Sequence, residues 1–193
     1  ESPFRYVTPF SADLYLSADP ANVRQALQSK VAAATILPSR KHMQREGQLR
    51  IAFDGDAVIF ADDSERVYQS EGLAAFAAAE KKMATTPMTD GPFRKLLQSL
   101  HELQVGWPRD EAPIRTALFT ARSAPAHERV IRTLRAWNIR IDEAVFLGGL
   151  DKGEFLETFG ADIFFDDQTG HCESASRYVT TGHVPHGVTN DAS

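Results

Sequence analysis

Short apolar runs alternate with helix-periodic segments along most of this 193-residue chain, and this alternation constrains the fold more than any other feature. The runs are residues 14–16, 32–36, 49–53, 116–119, 144–147 and 163–165. Most of them end in Gly, Ser, Thr or Asp, which is typical of buried strands bounded by turns. The helical patterns are residues 20–29, 126–137, 152–159 and 170–177. Because strand alternating with helix is typical of a parallel sheet covered on both faces, the sequence predicts an α/β fold.

The interval 62–107 interrupts this alternation. It contains two helical patterns, 71–82 and 92–103, which are joined by a Thr- and Pro-rich stretch without a convincing strand. The helices form either a cap inserted after the first acid-bearing strand or a layer that covers the sheet, and the sequence supports both equally. If the helices form a cap, residues 48–61 and 108–193 form the core, and residues 62–107 form the helical cap. The polar segment 38–48 is predicted to be a loop.

An internal repeat relates the two ends of the chain. Residues 149 positions apart match in four pairs: Phe10 with Phe159, Ala12 with Ala161, Asp13 with Asp162, and Ala26 with Ala175. Residues 1–37 are therefore expected to form an N-terminal strand-helix-strand repeat. We expect it to extend the main sheet or to form a small sheet beside it, with Leu14, Leu16 and Leu27 buried.

Composition excludes several classes of partner. The formal net charge of −5 and the pI near 5.7 give no basic surface for a nucleic acid. Cys172 has no second cysteine with which to form an internal disulfide, and no secretory leader pattern is visible, which favours a cytoplasmic protein. Since no apolar run approaches the roughly 20 residues that span a bilayer, no membrane partner is expected.

The segment Asp54-Gly55-Asp56 follows directly on the apolar run 49–53. In α/β sheets, ligands bind beyond the carboxyl ends of the strands, where these acids fall. Paired carboxylates need a counter-charge, which a hard divalent cation such as Mg²⁺ supplies through oxygen ligands. Taken alone, however, Asp and Gly are more typical of an ordinary strand-ending turn.

Asp166 and Asp167 close the run 163–165 in the same way, so four acids are expected at one edge of the sheet. A cluster of like charge is tolerable if a cation neutralises it or if some of the acids stay protonated. Metal binding is the simpler interpretation. The alternative is a plain turn that leads to a helix N-terminus. In the N-terminal repeat, Ser17 and Ala18 stand at the positions of the two acids, so that copy is expected to be structural.

Two further segments suit a phosphate. Thr120-Ala121-Arg122 lies between a predicted strand and a predicted helix, where the Thr120 hydroxyl and the following amides would contact phosphate oxygens. Lys152 lies at a predicted helix N-terminus, where a cation is disfavoured by roughly 0.3 to 1 kcal/mol. With carboxylates nearby, its expected role is to hold a phosphoryl group.

In this order, Asp54-x-Asp56, Thr120, Lys152 and Asp166-Asp167 resemble the four motifs of the haloacid dehalogenase-like superfamily of phosphohydrolases. Segments 50–58, 120–129 and 146–153 resemble the cytosolic 5'-nucleotidase type I family more closely, and the similarity extends from about Phe4 to Val188. The resemblance implies a Rossmann-like core with a small helical cap. Members of this family usually have a longer N-terminal part.

The resemblance also implies a Mg²⁺-dependent phosphomonoesterase that acts on nucleoside 5'-monophosphates. Asp54 would be the nucleophile and Asp56 the acid and base, with Thr120 and Lys152 completing the catalytic set. The implied metal ligands are Asp54, Asp56 through its main-chain carbonyl, Asp166 and Asp167. The implied substrate-binding residues are Gly55, Thr120, Ala121, Arg122 and Lys152. The alternatives are a non-catalytic nucleotide-binding regulatory module, which the presence of both Asp54 and Asp56 disfavours, and a phosphatase for another small phosphomonoester.

Overall fold

The structure is a computed structural model that describes residues 3–39 and 47–190. Its strands are β1 (Leu14–Ser17), β2 (Ala32–Leu37), β3 (Leu49–Phe53), β4 (Ile114–Thr120), β5 (Glu143–Phe146), β6 (Ile163–Asp166) and β7 (Thr180–His183). Its α-helices are α1 (Pro20–Gln28), α2 (Asp63–Lys82), α3 (Arg94–Gln104), α4 (His127–Ala136), α5 (Gly153–Phe159) and α6 (Thr169–Ala175). A short 3-10 helix covers Pro3–Tyr6. None of the helices in these two ranges is both long and apolar enough to cross a membrane.

The strands form one sheet in the order β1-β2-β7-β6-β3-β4-β5. Strands β7, β6, β3, β4 and β5 are mutually parallel, and β1 and β2 are parallel to each other. The predicted α/β class and the strand-helix alternation are therefore confirmed. Strand β3 lies between β6 and β4, with Phe53 paired to Phe165 on one side and to Leu118 on the other. The carboxyl ends of these three strands consequently meet at one edge.

One pairing differs from the predicted parallel sheet. Strand β2 is antiparallel to β7, so the N-terminal pair of strands runs against the other five. Strand β7 was not predicted, because Thr180, Gly182 and His183 form no apolar run. Burial instead comes from its neighbours: a Cβ atom at Gly182 would lie 2.6 Å from the Phe165 ring. Strand β7 is thus an inner strand although its sequence is polar, and a pattern of apolar runs does not predict such a strand.

The N-terminal repeat extends the main sheet, as one of the two predicted arrangements requires. Its predicted burial is only partly correct. Leu14 and Leu27 are half-buried and pack against the core, whereas Leu16 is 43% exposed. Leu16 lies on the same face as Leu14, but β1 is an edge strand with a neighbouring strand on one side only, so its side chains are covered less completely.

Helices α2 and α3 relate differently to the sheet. Helix α3 places Leu96, Leu97 and Leu100 in the main apolar cluster, which also contains Phe53 and Phe165. Helix α2 buries Ser64 and Glu80 along its 20 residues. Gly72 (φ 82°, ψ 179°) divides α2 into two helical parts, and the predicted helix 71–82 corresponds to the second. We therefore propose that α2 forms the cap and that α3 belongs to the core. Most of the predicted loop 38–48 lies outside the described residues.

At Gly91, the main chain of the segment that follows α2 lies directly against the main chain of the loop after β3. The Gly91 N–H donates to Ile59 O at 2.9 Å, and a Cβ atom there would lie 2.5 Å from Phe60 O and 2.6 Å from Val58 O. Carbonyl oxygens of the main chain cannot move aside as a flexible side chain can. The close approach therefore requires glycine.

We expect Gly91→Ala to lower the free energy of unfolding by about 1 to 3 kcal/mol, the usual range for an overpacked site. Gly106→Ala is the matched control, because a Cβ atom there meets nothing within 4 Å. Denaturant unfolding of the two variants measures the difference. Equal stability of both variants would contradict the close approach at Gly91.

Candidate active site

The central strand β3 delivers Asp54 to the carboxyl edge of the sheet. The Asp54 N–H donates to Phe165 O at 2.7 Å, so the ends of β3 and β6 are hydrogen-bonded to each other immediately before their acids. Asp54 is 6% exposed, Asp166 is fully buried and Asp167 is 4% exposed. The local sequence explains this placement, because apolar residues fix both strands in the core and the acids follow where the strands end.

Asp54, Asp166 and Asp167 form a buried carboxylate cluster. One ligand oxygen from each lies within 4.8 Å of the others. Lys152 Nζ donates to Asp54 Oδ1 at 2.5 Å and to Asp166 Oδ2 at 2.6 Å. If all three acids were ionised, this lysine would leave two negative charges uncompensated within the cluster. Burial of that excess is unfavourable unless a proton or a cation neutralises it.

The pKa values in the cluster reflect this excess of negative charge. Burial, followed by the charges of Asp54 and Asp166, raises the pKa of Asp167 to about 9. Burial raises the pKa of Asp54 to about 6, although the Lys152 ammonium opposes the shift. Burial alone would lower the pKa of Lys152, but the carboxylates of Asp166 and Asp54 raise it above its usual value. Without a bound cation, therefore, Asp167 holds a proton at neutral pH.

The carboxylate of Asp166 is fixed from two sides. Burial disfavours the charged form of Asp166 and so raises its pKa. The Lys152 ammonium and, to a smaller extent, the contact with His171 lower the pKa by more, so the pKa of Asp166 lies below its usual range. His171 Nδ1 lies 3.3 Å from Asp166 Oδ2. The Gln168 N–H donates to Asp166 Oδ1 at 2.8 Å. Asp166 thus stays ionised and oriented.

Asp167 is oriented by the C-terminal segment. Thr189 Oγ1 donates to Asp167 Oδ2 at 2.8 Å, and Asn190 Nδ2 donates to Asp167 O at 3.0 Å. His183 Nε2 lies 3.0 Å from the same carbonyl oxygen. Sequence reasoning missed these partners, since isolated polar residues near a chain end give no pattern.

The chemistry of the cluster fits a hard divalent cation. Three buried carboxylates offer oxygen atoms, which Mg²⁺, Ca²⁺ and Mn²⁺ prefer, and the two uncompensated charges equal the charge of such an ion. Mg²⁺ in proteins usually keeps waters and takes few carboxylates together with substrate oxygens. The cluster can therefore hold a divalent cation with positions left over for a phosphate.

Thr120 ends β4 beside the acid-bearing turn after β3. It is 1% exposed, and its Oγ1 would lie 3.4 Å from a Cβ atom at Gly55, so the hydroxyl packs directly on Gly55. The Arg122 N–H donates to Thr120 Oγ1 at 3.2 Å. The structure thus brings together three of the predicted phosphate-binding residues: Gly55, Thr120 and Arg122.

The side chain of Asp56 has a different partner from the other acids. It is bound in two places by the Arg122 guanidinium, with Nε to Oδ2 at 2.7 Å and Nη2 to Oδ1 at 2.6 Å. Its carboxylate is not a member of the three-acid cluster found among residues 3–39 and 47–190. The four predicted acids therefore occur in two groups, one with excess negative charge and one paired with arginine.

A buried acid from α2 joins the second group. Glu80 is 2% exposed and accepts hydrogen bonds from Arg122 Nη1 at 2.6 Å and Arg129 Nη1 at 2.9 Å. Ser64 Oγ donates to the same carboxylate at 2.8 Å. Two arginines balance Glu80 and Asp56. Sequence reasoning missed Glu80, because one acid in an Ala-rich helix resembles an ordinary solvated residue.

The loop before α5 places Lys152. Gly148 (φ 60°) and Gly149 (φ 93°) adopt left-handed conformations after β5, and the helix begins at Gly153. A Cβ atom at Gly153 would lie 2.5 Å from the Tyr178 ring, so this glycine lets the first turn of α5 approach the residues that follow α6. Lys152 is 4% exposed, and a lysine is rarely buried to this degree unless it is paired, as Lys152 is with Asp54 and Asp166.

Comparison with known proteins shows the family of the chain. Human cytosolic 5'-nucleotidase 1B is 40% identical over 183 residues, which cover 92% of this chain and 30% of that relative's length. No solved structure matched the chain. A family model described as 5'-nucleotidase matches residues 1–191, almost the full sequence. The chain therefore belongs to the 5'-nucleotidase family.

Proposed function

We propose that this protein is a Mg²⁺-dependent 5'-nucleotidase that hydrolyses nucleoside 5'-monophosphates to nucleoside and phosphate through an aspartyl-phosphate intermediate. The observation that carries the proposal is the buried cluster of Asp54, Asp166 and Asp167 with Lys152 bound across it. Membership of the 5'-nucleotidase family supports the reaction and the substrate class.

Asp54 is the proposed nucleophile. It lies at the end of the central strand, and Lys152 fixes its carboxylate by the bond to Oδ1. A carboxylate oxygen forms a bond to phosphorus while the bond between phosphorus and the 5'-oxygen breaks. Water then attacks phosphorus of the aspartyl phosphate, which releases phosphate and restores the Asp54 carboxylate.

Asp56 is the proposed acid and base. It donates a proton to the leaving 5'-oxygen and takes one from the water in the second step. Its side chain is 20% exposed, whereas that of Asp54 is 8% exposed, which suits a group that exchanges protons with substrate and water. Binding of both carboxylate oxygens by Arg122 fixes the direction in which Asp56 acts.

The remaining residues hold the phosphoryl group and the cation. Thr120, the main chain of Gly55, Ala121 and Arg122, and Lys152 would bind phosphate oxygens, since phosphoryl transfer depends mainly on positioning and charge stabilisation. Asp54, the main-chain carbonyl of Asp56, Asp166 and Asp167 would hold Mg²⁺. When bound, the cation supplies charge neutralisation for the nucleophile and the phosphate together.

The same site would also serve a phosphatase for another small phosphomonoester, because the cluster would contact only the phosphate end of a substrate. Two aromatic residues of α2 favour a nucleotide. The Phe76 ring centroid lies 5.4 Å from Arg122 Cζ and 6.2 Å from the Tyr68 ring. Aromatic rings beside a phosphate site suit a base.

The name of the human relative supports a cytosolic location.

Asp54→Asn should abolish nearly all release of phosphate from nucleoside monophosphates, because the amide oxygen is a poor nucleophile. Asp110→Asn is the matched control, since Asp110 is exposed. Both variants are assayed with Mg²⁺ and with a chelator, which should remove the activity of the unmodified protein. Substantial turnover by Asp54→Asn would contradict the assignment of the nucleophile.

The raised pKa of Asp167 predicts how pH affects stability without metal. Its folded pKa is about 9 and its ordinary value is 3.8, so the folded protein holds an extra proton between these pH values. The free energy of unfolding therefore falls as pH rises through this window, with a slope of up to about 1.4 kcal/mol per pH unit. Asp167→Asn removes this dependence.

In chelator, Asp167→Asn should be more stable than the unmodified protein near neutral pH, and the difference should shrink towards about pH 4. Added Mg²⁺ should raise the melting temperature of the unmodified protein and leave that of the variant unchanged. Thermal melts across this pH range, with Asp110→Asn as the control, measure both effects. A difference that does not vary with pH would contradict the proton on Asp167.

Phe76→Ala tests whether α2 selects the base. Stacking of a base on an aromatic ring contributes about 1 to 3 kcal/mol, so KM for nucleoside monophosphates should rise roughly 5- to 150-fold. KM for ribose 5-phosphate, which has no base, should stay the same. Leu73→Ala on the same helix is the control, since Leu73 is 69% exposed. Equal changes for both substrates would show that Phe76 does not recognise the base.

A further inference from the structure

Glu80 is a buried charge that the proposed chemistry does not use. Its side chain is 1% exposed, and its carboxylate is bound by Arg122, Arg129 and Ser64. Burial of an ionised carboxylate is unfavourable, and such networks often add little net stability compared with apolar packing. The position of this acid therefore requires an explanation other than the stability of α2.

The contacts of Arg122 provide that explanation. Its guanidinium uses Nε and Nη2 for Asp56 and Nη1 for Glu80. Because the group is planar, fixing Nη1 also fixes the plane in which the other two nitrogens hold Asp56. Arg122 is 5% exposed, and the Phe76 ring covers it. A continuous series of hydrogen bonds thus connects Glu80 on α2, through the planar Arg122 guanidinium, to Asp56 beside the proposed nucleophile.

We propose that Glu80 is a positioning residue that orients Asp56 for proton transfer through Arg122. This inference rests on the proposed function, in which Asp56 protonates the leaving 5'-oxygen. Without the Glu80 charge, Arg122 Nη1 would lose its anionic partner, which weakens the contact that sets the plane of the guanidinium. Asp56 would then donate its proton from a poorer position.

A purely structural role for Glu80 makes a different prediction. Arg129 Nε donates to Thr86 O at 3.0 Å, so Glu80 and Arg129 also connect the end of α2 to the start of α4. Loss of that connection would disturb every substrate alike. Loss of proton donation would instead affect only substrates whose leaving group needs a proton. The choice of leaving group therefore separates the two roles.

The experiment compares a nucleoside 5'-monophosphate with p-nitrophenyl phosphate in a single turnover. The 5'-alkoxide is a poor leaving group and needs a proton from Asp56. The p-nitrophenolate leaves as a stable anion when Asp54 oxygen bonds to phosphorus, and no proton is required. For Glu80→Gln, we expect the first step with the nucleotide to slow by roughly 10- to 100-fold. Release of the first equivalent of p-nitrophenolate should stay within about threefold of the unmodified rate.

Three variants serve as controls. Arg129→Gln removes the other arginine bound to Glu80 but leaves Arg122 and Asp56 paired, so it should lower the melting temperature without a selective effect on the nucleotide. Glu71→Gln removes an exposed acid of the same helix and should change neither rate. Asp56→Asn should show the selective loss in its strongest form, because it removes the proton donor itself.

The outcomes are distinguishable. A selective loss in both Asp56→Asn and Glu80→Gln supports the positioning role. A selective loss in Asp56→Asn combined with an equal loss for both substrates in Glu80→Gln overturns it while the proposed function stands. No selectivity in Asp56→Asn means that the acid assignment is wrong, and the inference falls with it. If melts show that Glu80→Gln does not fold, Glu80→Asp retains the charge, retracts the carboxylate and is judged by the same comparison.

Discussion

Burial of the carboxylates of Asp54, Asp166 and Asp167 around the Lys152 ammonium is the constraint on which the rest of the site depends. The strands cannot avoid this crowding, because β3 and β6 are hydrogen-bonded up to the residue that precedes the acids. The apolar packing of the sheet therefore holds the three carboxylates close together, although their mutual repulsion opposes this arrangement. A proton on Asp167 relieves the opposition when no cation is bound, and a divalent cation would relieve it more completely.

The two charged groups of the site have opposite characters. The carboxylate cluster has more negative than positive charge and can accept a cation, whereas Asp56, Glu80, Arg122 and Arg129 are balanced among themselves. The excess negative charge of the first group favours a bound cation, whereas the ion pairs of the second group hold its side chains in place. Asp56 and Asp54 are two residues apart, yet they belong to different groups because the turn at Gly55 directs their side chains to different partners.

Sequence alone predicted the elements that apolar patterns define and the acids that follow them. The strands from β1 to β6 were predicted within a few residues, since each contains an apolar run. Strand β7 was not, although the 149-residue repeat contains the necessary signal: β2 maps onto residues 181–186, which overlap β7. Applying the repeat to secondary structure as well as to identities would have found it.

Within the site, spacing predicted Asp54, Asp166, Asp167 and Lys152 because each follows a strand or begins a helix. It could not predict Glu80, whose contact with Arg122 depends on where α2 folds back onto the sheet edge. The separation of Asp56 from the other acids was equally invisible, because it depends on the direction of one side chain. Long-range contacts between charged residues leave no periodic trace in a sequence.

The antiparallel junction of β2 and β7 has a consequence for association between copies of the chain. It moves the outer edge of the sheet from β7 to β1 without lengthening it, because both strands have four residues, and the opposite edge is β5, also with four. Short edge strands offer few unpaired main-chain groups to another sheet. The N-terminal unit thus covers β7, the neighbour of β6, which ends in Asp166 and is followed by Asp167. The exposed edge of the sheet therefore lies two strands further from the buried acids.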